Sequence, residues 1–555
     1  MLNKLTENAK ELINNNKLQE AENLLLGLED KYSIFELARI RKIQGRNKEA
    51  EQLYLKSLSM PSEIKSHIDS DINIELGRLY GEFGKLEEAK ARYEKGADRV
   101  SLENNIYREL GEFYLYTRSA FKFKEAAECF EKAIKLFPND IRTSLDLAVA
   151  YRVINKDDQA SKILNGLLAR KEVKTDKFLY NKVLNQYEIL MGKEYLESKP
   201  REIRATITTK CNIGCRYCSV WRNPNWELPE ERIEDVMNHF PYLEDMQWLG
   251  GEAFLYDGFE EILEEGSRYD RLHQTIMTNG LLLNERILEK IAKGNVSLII
   301  AIDAGKKETY EYLRRGGNWD KLCRNLELIK EVGQRTNKKI ETTFNAVLSK
   351  TNYKEMFDML EMAHKYDFNR IRFMSILGDS DENIWLNKDV EAIKYIKETI
   401  PFVEARARDY NIFAETDKLQ FGRYKDINLN VVKDGKITDI VAKVKKCEKK
   451  SYYCVFPWTE VVIDSKGLMR MCPNCNDWLA ENSSIAEFWN CEGMQLYRKK
   501  LTQSHFCYGG IDIQPVNNNT RIAGPNDLAY PCYNIQDPCH GEWDPGRQCL
   551  MPRWP

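Results

Sequence analysis

The chain has 555 residues, several times the usual domain size, so two to four domains are expected. Its 83 basic and 86 acidic residues give a formal net charge of -3, and no long run of one sign favours binding to nucleic acid or to an anionic membrane. The N-terminus lacks the pattern of a signal peptide, and no apolar stretch approaches the ~18 residues that a membrane span needs. The sequence therefore predicts a cytoplasmic protein that binds neither nucleic acid nor membrane.

The first part of the chain contains an internal repeat. The segment ELGRLYGEFGKLEEAKARYEKGAD from Glu75 is echoed from Glu109, with Leu, Gly, Tyr, Ala and aromatic residues at matching positions. Small residues recur at intervals of 29 to 39 residues, at Ala21, Ala50, Ala89, Ala127 and Ala160. This pattern resembles the tetratricopeptide repeat, a helix-turn-helix unit with a period of ~34 residues. The resemblance implies an all-α helical-repeat region over 1–198 with a concave groove for a peptide or protein, and a purely structural role is the alternative.

After the Lys199-Pro200 pair, the pattern changes to short β-like runs separated by amphipathic helices. The runs are IRATIT, MQWLGG, TIMTNG, VSLIIAID, ETTFNAVL and NRIRFMSI, which indicate at least six β/α units. Consecutive units of this kind build a parallel sheet or a partial barrel. We therefore predict an α/β partial (β/α)6 barrel over residues 199–445, with its chemistry at the C-terminal ends of the strands.

Fourteen cysteines in a cytoplasmic protein favour metal ligation over a disulfide framework. Three of them, Cys211, Cys215 and Cys218, directly follow the first β-like run at the spacing CxxxCxxC. Three thiolates on one loop can hold one face of a four-iron cluster and leave one iron open for another ligand, which implies catalysis. The alternatives are a zinc site completed by a distant ligand and buried structural thiols.

This loop resembles that of the radical S-adenosylmethionine (SAM) superfamily. In that family, the open iron of a 4Fe-4S cluster binds SAM and delivers an electron that cleaves it to a 5'-deoxyadenosyl radical. Further motifs match the family in order, beginning with LGGEAFL. By this resemblance, Gly250 and Gly251 let the backbone approach closely, and Glu252 accepts from the SAM amino group. Ala253 replaces the usual proline of the motif.

Two more motifs follow the third and fourth β-like runs. Thr278 and Asn279, in TIMTNG, resemble the family segment near the SAM ribose. Asp303 closes the fourth run, and Arg314 lies on the next helix, where the family has an arginine that reaches SAM. Arg315 can replace Arg314 in this register, and a solvated helix arginine is the structural alternative.

Near the C-terminus, Cys454 and Cys472 flank a glycine at the spacing C-x12-G-x4-C. The segment VVIDSKGLMRM between them predicts a β-hairpin, which would let the two distant thiolates meet. The pattern resembles the beginning of SPASM and twitch domains and implies at least one auxiliary iron-sulfur cluster in residues 446–510, with Cys447 and Cys475 as further ligands. A zinc ribbon is the alternative.

The other late cysteines do not follow the full SPASM spacing. Cys491 and Cys507 are candidates for the fourth ligand of the auxiliary cluster. Residues 511–555 form a tail rich in Cys, Pro and Trp, for which no regular structure is predicted. Cys129 and Cys323 are expected to be ordinary core cysteines.

Together, the motifs predict a radical SAM oxidoreductase in which the deoxyadenosyl radical abstracts a substrate hydrogen. The helical repeats favour a peptide or protein substrate, as in enzymes that mature ribosomally made peptides. The expected partners are SAM, an electron donor such as flavodoxin or ferredoxin, and that substrate. A dehydrogenase or epimerase of a sugar or aminocyclitol is the first alternative. A non-catalytic repeat scaffold with zinc sites is the second.

Overall fold

The computed structural model describes most of the helical-repeat region and the barrel, and part of the C-terminal region. The described residues are 2–14, 17–61, 68–83, 85–96, 106–116, 122–218, 220, 224–376, 380–416, 419, 456–471 and 483–503. The predicted auxiliary-cluster ligands Cys447, Cys454, Cys472 and Cys475, together with the tail 511–555, lie outside the described residues.

The N-terminal region is helical, and successive helices pack together in pairs. Its helices are α1 (Leu2–Asn14), α2 (Leu18–Leu25), α3 (Lys31–Ile43), α4 (Asn47–Ser59), α5 (Ile68–Glu82), α6 (Leu86–Gly96), α7 (Ile106–Tyr116), α8 (Phe123–Leu136), α9 (Ile141–Val153), α10 (Asp157–Ala169), α11 (Lys171–Thr175) and α12 (Lys177–Leu190). The five recurring alanines all lie on the second helix of a pair, and each is at most 1% exposed. The predicted helical-repeat fold is therefore confirmed. None of the helices in the described ranges is long and apolar enough to span a membrane.

Glycine in the repeated ELG segment has a packing role. A Cβ on Gly77 would lie 2.7 Å from the ring of Tyr93, and a Cβ on Gly111 would lie 2.6 Å from the ring of Phe130. Each aromatic residue belongs to the second helix of the same pair. The first helix therefore carries glycine where the aromatic ring of its partner packs against its backbone.

The barrel region alternates strands and helices. The strands are β1 (Glu202–Thr208), β2 (Asp245–Gly250), β3 (His273–Thr278), β4 (Val296–Ala301), β5 (Glu341–Leu348), β6 (Arg370–Ser375) and β7 (Phe413–Glu415). The helices are α13 (Glu230–His239), α14 (Phe259–Gly266), α15 (Glu285–Lys293), α16 (Lys307–Leu313), α17 (Trp319–Arg335), α18 (Met356–Lys365) and α19 (Val390–Asp409). Neighbouring strands pair in parallel from β1 to β7. The predicted parallel α/β fold is confirmed.

The two faces of this sheet differ in character. On β1, Ile203, Ala205 and Ile207 are fully buried in the core formed with the helices, whereas Arg204 and Thr206 are partly exposed. Successive side chains of a strand point to opposite faces, and residues paired between parallel strands share a face. We call the face that carries Arg204 the inner face.

The predicted C-terminal hairpin forms and extends the same sheet. Its strands are β8 (Glu460–Ile463) and β9 (Met469–Arg470), and Gly467 between them has a φ of +85°, which favours glycine. Strand β8 pairs in parallel with β1, placing Ile463 opposite Ala205. Within the described residues, the strand order is therefore β7-β6-β5-β4-β3-β2-β1-β8-β9.

The C-terminal helices pack at the junction between the repeats and the barrel and stabilise it. These helices are α20 (Phe456–Thr459), α21 (Ile485–Trp489) and α22 (Glu492–Gln503). Trp489 Nε1 donates to Ser198 O at 2.7 Å, and Trp458 Nε1 donates to Lys193 O at 2.9 Å. Arg498 is fully buried, its guanidinium donates to nearby backbone carbonyls, and burial lowers its pKa to about 9. The junction is therefore a packed interface.

The helical repeats lie across the N-terminal ends of the barrel strands. The polar contacts that show this are Lys182 Nζ with Glu244 Oε2 at 3.0 Å, Arg271 Nη1 with Asp176 Oδ2 at 2.6 Å, and Lys85 Nζ with Asn411 Oδ1 at 3.1 Å. The barrel residue of each pair lies within two residues before a strand begins. The loops that follow the strands are at the other end of the barrel, roughly 20–25 Å away for strands of this length.

Candidate active site

The loop with the three predicted cluster cysteines leaves the C-terminal end of β1. Cys215 is buried, and Cys211 and Cys218 are partly buried. The loop is tied to the segment after α16, because Gly214 N donates to Arg315 O at 2.8 Å. Burial is the main cause that raises the pKa values of Cys211 and Cys215, and the charges of neighbouring cysteines raise them further. Binding of iron must therefore displace protons from these thiols.

Arg314 reaches the cysteine loop, with its Nη1 at 3.5 Å from Cys215 Sγ. It is paired with Asp303, whose carboxylate also accepts from the hydroxyl of Tyr217. Asp303 has a φ of +62°, and its Oδ1 accepts from Val347 N at 2.7 Å. Both members of the ion pair are buried. The structure thus places the positive guanidinium of Arg314 beside the buried thiol of Cys215, and the carboxylate of Asp303 balances the charge of the guanidinium.

Gly250 ends β2, and Gly251 follows it against the cysteine loop. A Cβ on Gly251 would lie 2.2 Å from Lys210 O and 2.6 Å from Thr209 O, and one on Gly250 would lie 2.5 Å from Thr208 O. Gly251 N also donates to Thr208 O at 2.7 Å. The close backbone approach that these glycines permit is therefore an approach to the end of β1 and to the loop that follows it, and a larger residue at Gly251 would push the loop away.

Glu252 forms a buried hydrogen-bonded group with the TNG segment. Its Oε1 accepts from Thr278 Oγ1 at 2.7 Å, and its Oε2 accepts from Asn279 N at 2.8 Å. Burial raises the pKa of Glu252 to about 7, although these hydrogen bonds oppose the rise. Asn279 Nδ2 in turn donates to Asn212 Oδ1 at 2.8 Å and lies 3.9 Å from Cys211 Sγ. Because a carboxylate offers about four lone-pair positions, Glu252 can accept from a further donor.

The structure also gives the positions of residues for which the sequence made an ambiguous prediction or no prediction. The side chain of Arg315 is exposed, so Arg314 is the arginine that faces the cysteines. Asn212 and Tyr217 were not predicted, although both lie within the cysteine loop. Tyr217 is the aromatic residue between the second and third cysteines, a position that could have suggested a role. Nothing in the sequence shows that its partner is Asp303, 86 residues away.

Other described cysteines lie apart from this loop. Cys129 is buried in the helical repeats, and burial raises its pKa to about 11. Cys323 and Cys491 are partly buried against the barrel core. In the part of the chain that the structure describes, no three His, Cys, Asp or Glu side chains are arranged to hold a single metal ion. The assignment of an auxiliary cluster to Cys454 stays a prediction.

These features define an α/β fold with a mainly parallel sheet, in which strand β1 ends in a three-thiol loop flanked by a buried carboxylate and a buried arginine. As a donor set, three thiols on one loop suit a 4Fe-4S cluster, in which each cysteine binds a different iron and one iron stays open. Residues 205–363 match the family model of the radical SAM superfamily, and residues 118–173 match that of the tetratricopeptide repeat. The chain therefore contains a radical SAM domain and tetratricopeptide repeats, as the motifs predicted.

Several curated proteins are similar to part of the chain. The GTP 3',8-cyclase of Peptoclostridium acidaminophilum is 25% identical over 231 residues, which are 38% of this chain and 67% of that protein. The probable GTP 3',8-cyclase of Archaeoglobus fulgidus is 30% identical over 180 residues, which are 32% and 58% of the two proteins. The radical SAM cyclopropyl synthase TigE of Paramaledivibacter caminithermalis is 26% identical over 227 residues, which are 35% and 46%. The chain thus spans between about half and two thirds of the length of these relatives.

Solved structures are similar at low sequence identity. SuiB of Streptococcus suis bound to S-adenosylmethionine has a TM-score of 0.41 and 14% identity, with 64% of this chain and 80% of that chain covered. The native anSMEcpe with bound AdoMet and Cp18Cys peptide has a TM-score of 0.40 and 17% identity, with 55% and 84% covered.

Proposed function

We propose that the chain holds a 4Fe-4S cluster on Cys211, Cys215 and Cys218 and cleaves SAM reductively. When bound, the cluster supplies the electron for this cleavage, and the resulting 5'-deoxyadenosyl radical abstracts a hydrogen from the substrate. One observation carries the proposal: the buried Glu252 group and Arg314 come from different β/α units and lie against the same cysteine loop. The match of this segment to the radical SAM family model supports it.

The residues around the loop have separate roles in this proposal. Gly250 and Gly251 allow the loop to lie close to β2 and so fix its position relative to that strand. Glu252 accepts from the amino group of SAM, and the positive charge of that group lowers the pKa of Glu252 and favours its ionised form. Asp303 orients Arg314, which gives the cysteine loop a fixed positive neighbour.

The proposed substrate is a peptide or protein, because the helical repeats present a charged groove. The groove has a volume of about 620 Å³ and lies between α1, α3 and α5. Its lining includes Glu7, Glu11 and Asp71 as well as Lys10 and Arg39. A groove of mixed charge suits a segment that itself carries charged side chains. A small metabolite would use little of such a surface.

The position of the repeats sets a length requirement for this substrate. The repeats lie at the N-terminal ends of the strands, whereas the cysteine loop follows the C-terminal end of β1. The length of the strands alone contributes roughly 20–25 Å to this separation, so the substrate needs at least about seven extended residues between the two places. The segment held by the groove and the residue that reacts are therefore different parts of one substrate in this proposal.

The proposal includes an auxiliary iron-sulfur cluster and an external electron donor such as flavodoxin or ferredoxin. Cys454 and Cys472 are the proposed ligands of the auxiliary cluster, with Cys447 and Cys475 as further ligands. The hairpin between the first two forms and pairs with β1, which supports a C-terminal segment attached to the barrel. The ligands themselves lie outside the described residues.

Anaerobic reconstitution tests the proposed chemistry. The wild-type protein should take up iron and sulfide and, with dithionite, convert SAM to 5'-deoxyadenosine, which chromatography with mass spectrometry detects. Replacing Cys211, Cys215 or Cys218 by alanine should abolish this product. Cys323→Ala is the matched control, because it removes a partly buried thiol outside the loop and should leave cleavage intact. Wild-type protein that takes up zinc alone, or a loop variant that still cleaves SAM, contradicts the proposal.

Genomic context tests the substrate class. A short open reading frame beside the gene would encode a candidate peptide, and co-expression of the two should change the mass of that peptide. Variants of the three loop cysteines should leave its mass unchanged. Neighbouring genes solely for sugar-nucleotide or glycosyltransferase chemistry would instead support the sugar or aminocyclitol alternative.

A further inference from the structure

A row of polar side chains crosses the inner face of the barrel on its last three parallel strands. Asn345 on β5 is paired with Arg372 on β6, and Arg372 is paired with Glu415 on β7. Phe344, next to Asn345, packs in the core against Phe368 with ring centroids 5.4 Å apart. Because side chains alternate along a strand, Asn345 and the residues paired with it point to the inner face.

This row carries an excess of positive charge. Arg372 Nε donates to Glu415 Oε2 at 2.7 Å, and Arg370 Nη1 donates to Glu415 Oε1 at 3.3 Å. Within the described residues, these are the only side-chain hydrogen bonds of the two arginines, which therefore share one carboxylate. The side chains are 30% exposed for Arg370 and 13% for Arg372, so both are accessible. The end of the Arg372 guanidinium keeps the paired N–H donors that bind a planar oxyanion.

Asn345 adds an unused acceptor beside this pair. Its side chain is 4% exposed, and its Oδ1 has no hydrogen-bond partner among the residues that the structure describes. Buried amide oxygens nearly always have a partner, so an N–H or O–H group of a ligand is expected at this atom. Asn345 and Arg372 lie on adjacent strands, about 5 Å apart. The row therefore offers an anion site and an acceptor to the same ligand.

Asn345 is the end of the row that lies nearest to the cysteine loop. Asn345 precedes Val347 by two residues, about 7 Å along the strand. Val347 N donates to Asp303 Oδ1 at 2.7 Å, and Asp303 pairs with Arg314, which contacts Cys215. A chain of contacts therefore links the Asn345 end of the row to the cysteine loop, whereas Arg370 begins β6 at the opposite end of the strands.

We propose that Arg370 and Arg372 bind a carboxylate of the peptide substrate, while Asn345 accepts a hydrogen bond from a backbone N–H of the same residue. An aspartate or glutamate residue presents both groups together. This inference rests on the proposed modification of a peptide and deepens it, because it names the residue type that anchors the substrate on the inner face of the sheet.

Peptide selection tests this specificity. Full-length protein, reconstituted with iron and sulfide and supplied with SAM, is immobilised anaerobically and used to select from a displayed library of random peptides. The wild-type protein should enrich Asp or Glu at one position of the recovered peptides, and Arg372→Gln should lose that enrichment. Arg408→Gln is the matched control, because Arg408 lies on the exposed face of α19. It should select the same peptides as the wild type.

A thermodynamic cycle makes the test quantitative. Replacing the acidic residue of an enriched peptide by its amide should weaken binding to the wild type about 10- to 100-fold, and binding to Arg372→Gln less than about twofold. Glu415→Gln should instead tighten binding of the acidic peptide, since it removes the carboxylate that competes for the two arginines. Because this variant predicts the opposite sign, it decides the question even when Arg372→Gln does not fold.

Several results overturn the proposal. The first is recovery of peptides without an enriched Asp or Glu. The second is an amide substitution that weakens peptide binding to Arg372→Gln as much as binding to the wild type. The third is a folded Glu415→Gln protein that binds the acidic peptide more weakly than the wild type, or equally well. Binding of GTP or inorganic phosphate that depends on Arg372, without such binding of acidic peptides, also overturns it. SAM cleavage is measured on the same preparations. Cleavage without acid-dependent selection rejects the carboxylate site alone, whereas absence of cleavage in the wild type rejects the proposed function.

Discussion

The substitution Gly251→Ala should displace the cysteine loop without changing a cysteine. The added Cβ would lie 2.2 Å from Lys210 O and 2.6 Å from Thr209 O, and both are backbone atoms that cannot rotate away. The loop must therefore move by about 1 Å to restore van der Waals contact. Glu252 N donates to Lys210 O at 2.8 Å, and Gly251 N donates to Thr208 O at 2.7 Å. Stretching these two hydrogen bonds, each worth about 0.5–1.5 kcal/mol, should cost about 1–3 kcal/mol in the free energy of unfolding.

The functional effect of Gly251→Ala should exceed this loss of stability, because the displaced loop carries the three proposed cluster ligands. We expect a clear drop in iron bound per chain after reconstitution, and little 5'-deoxyadenosine. Gly166→Ala is the matched control, since Gly166 lies within α10 and its added Cβ meets nothing within 4 Å. That control should be neutral or up to ~1 kcal/mol more stable through its better helix propensity. Iron content and SAM cleavage at wild-type levels in Gly251→Ala would refute the reasoning.

Substitutions at three other places also have defined expected outcomes. Arg314→Lys keeps the charge but loses the guanidinium fork, so SAM cleavage should fall about tenfold or more while iron content is kept; unchanged kcat and KM for SAM would contradict this. Alanine at Cys454 and Cys472 should lower iron content yet leave some SAM cleavage, and unchanged iron content would reject the auxiliary cluster. Gly111→Ala places a Cβ 2.6 Å from the Phe130 ring and should destabilise the repeats by about 1–3 kcal/mol, which urea unfolding followed by far-UV circular dichroism would detect as a lower midpoint.

The parts of the fold that repeat or alternate could be predicted from sequence. Alanines at regular intervals lie on the second helix of each pair because only a small residue fits between packed helices. The β-like runs are parallel strands in the structure. Apolar residues that alternate along a short segment lie on one face of a strand, which is why the sequence predicts strands there. Glu252 could be identified because its motif is local, although the physical need for Gly251, contact with Lys210, became visible only in the structure.

The other features of the fold and the site depend on contacts between residues far apart in the sequence, which no local pattern contains. The row formed by Asn345, Arg372 and Glu415 exists because three strands pair in one register, and each residue taken alone looks like an ordinary polar residue in a strand. The placement of the repeats across the strand N-termini likewise relies on contacts such as Lys85 with Asn411, 326 residues apart. Sequence reasoning could give the groove and the cysteine loop separately, but not the end of the barrel at which each lies.

Electron paramagnetic resonance of the reduced, reconstituted protein tests most directly whether the cysteine loop holds a cluster with an open iron. In a protein carrying alanine at Cys454 and Cys472, the remaining signal should be that of one reduced 4Fe-4S cluster, and addition of SAM should change its g values because SAM binds the open iron. Further replacement of Cys215 by alanine should remove the signal. A signal that SAM leaves unchanged, or one that survives loss of Cys215, would contradict the account.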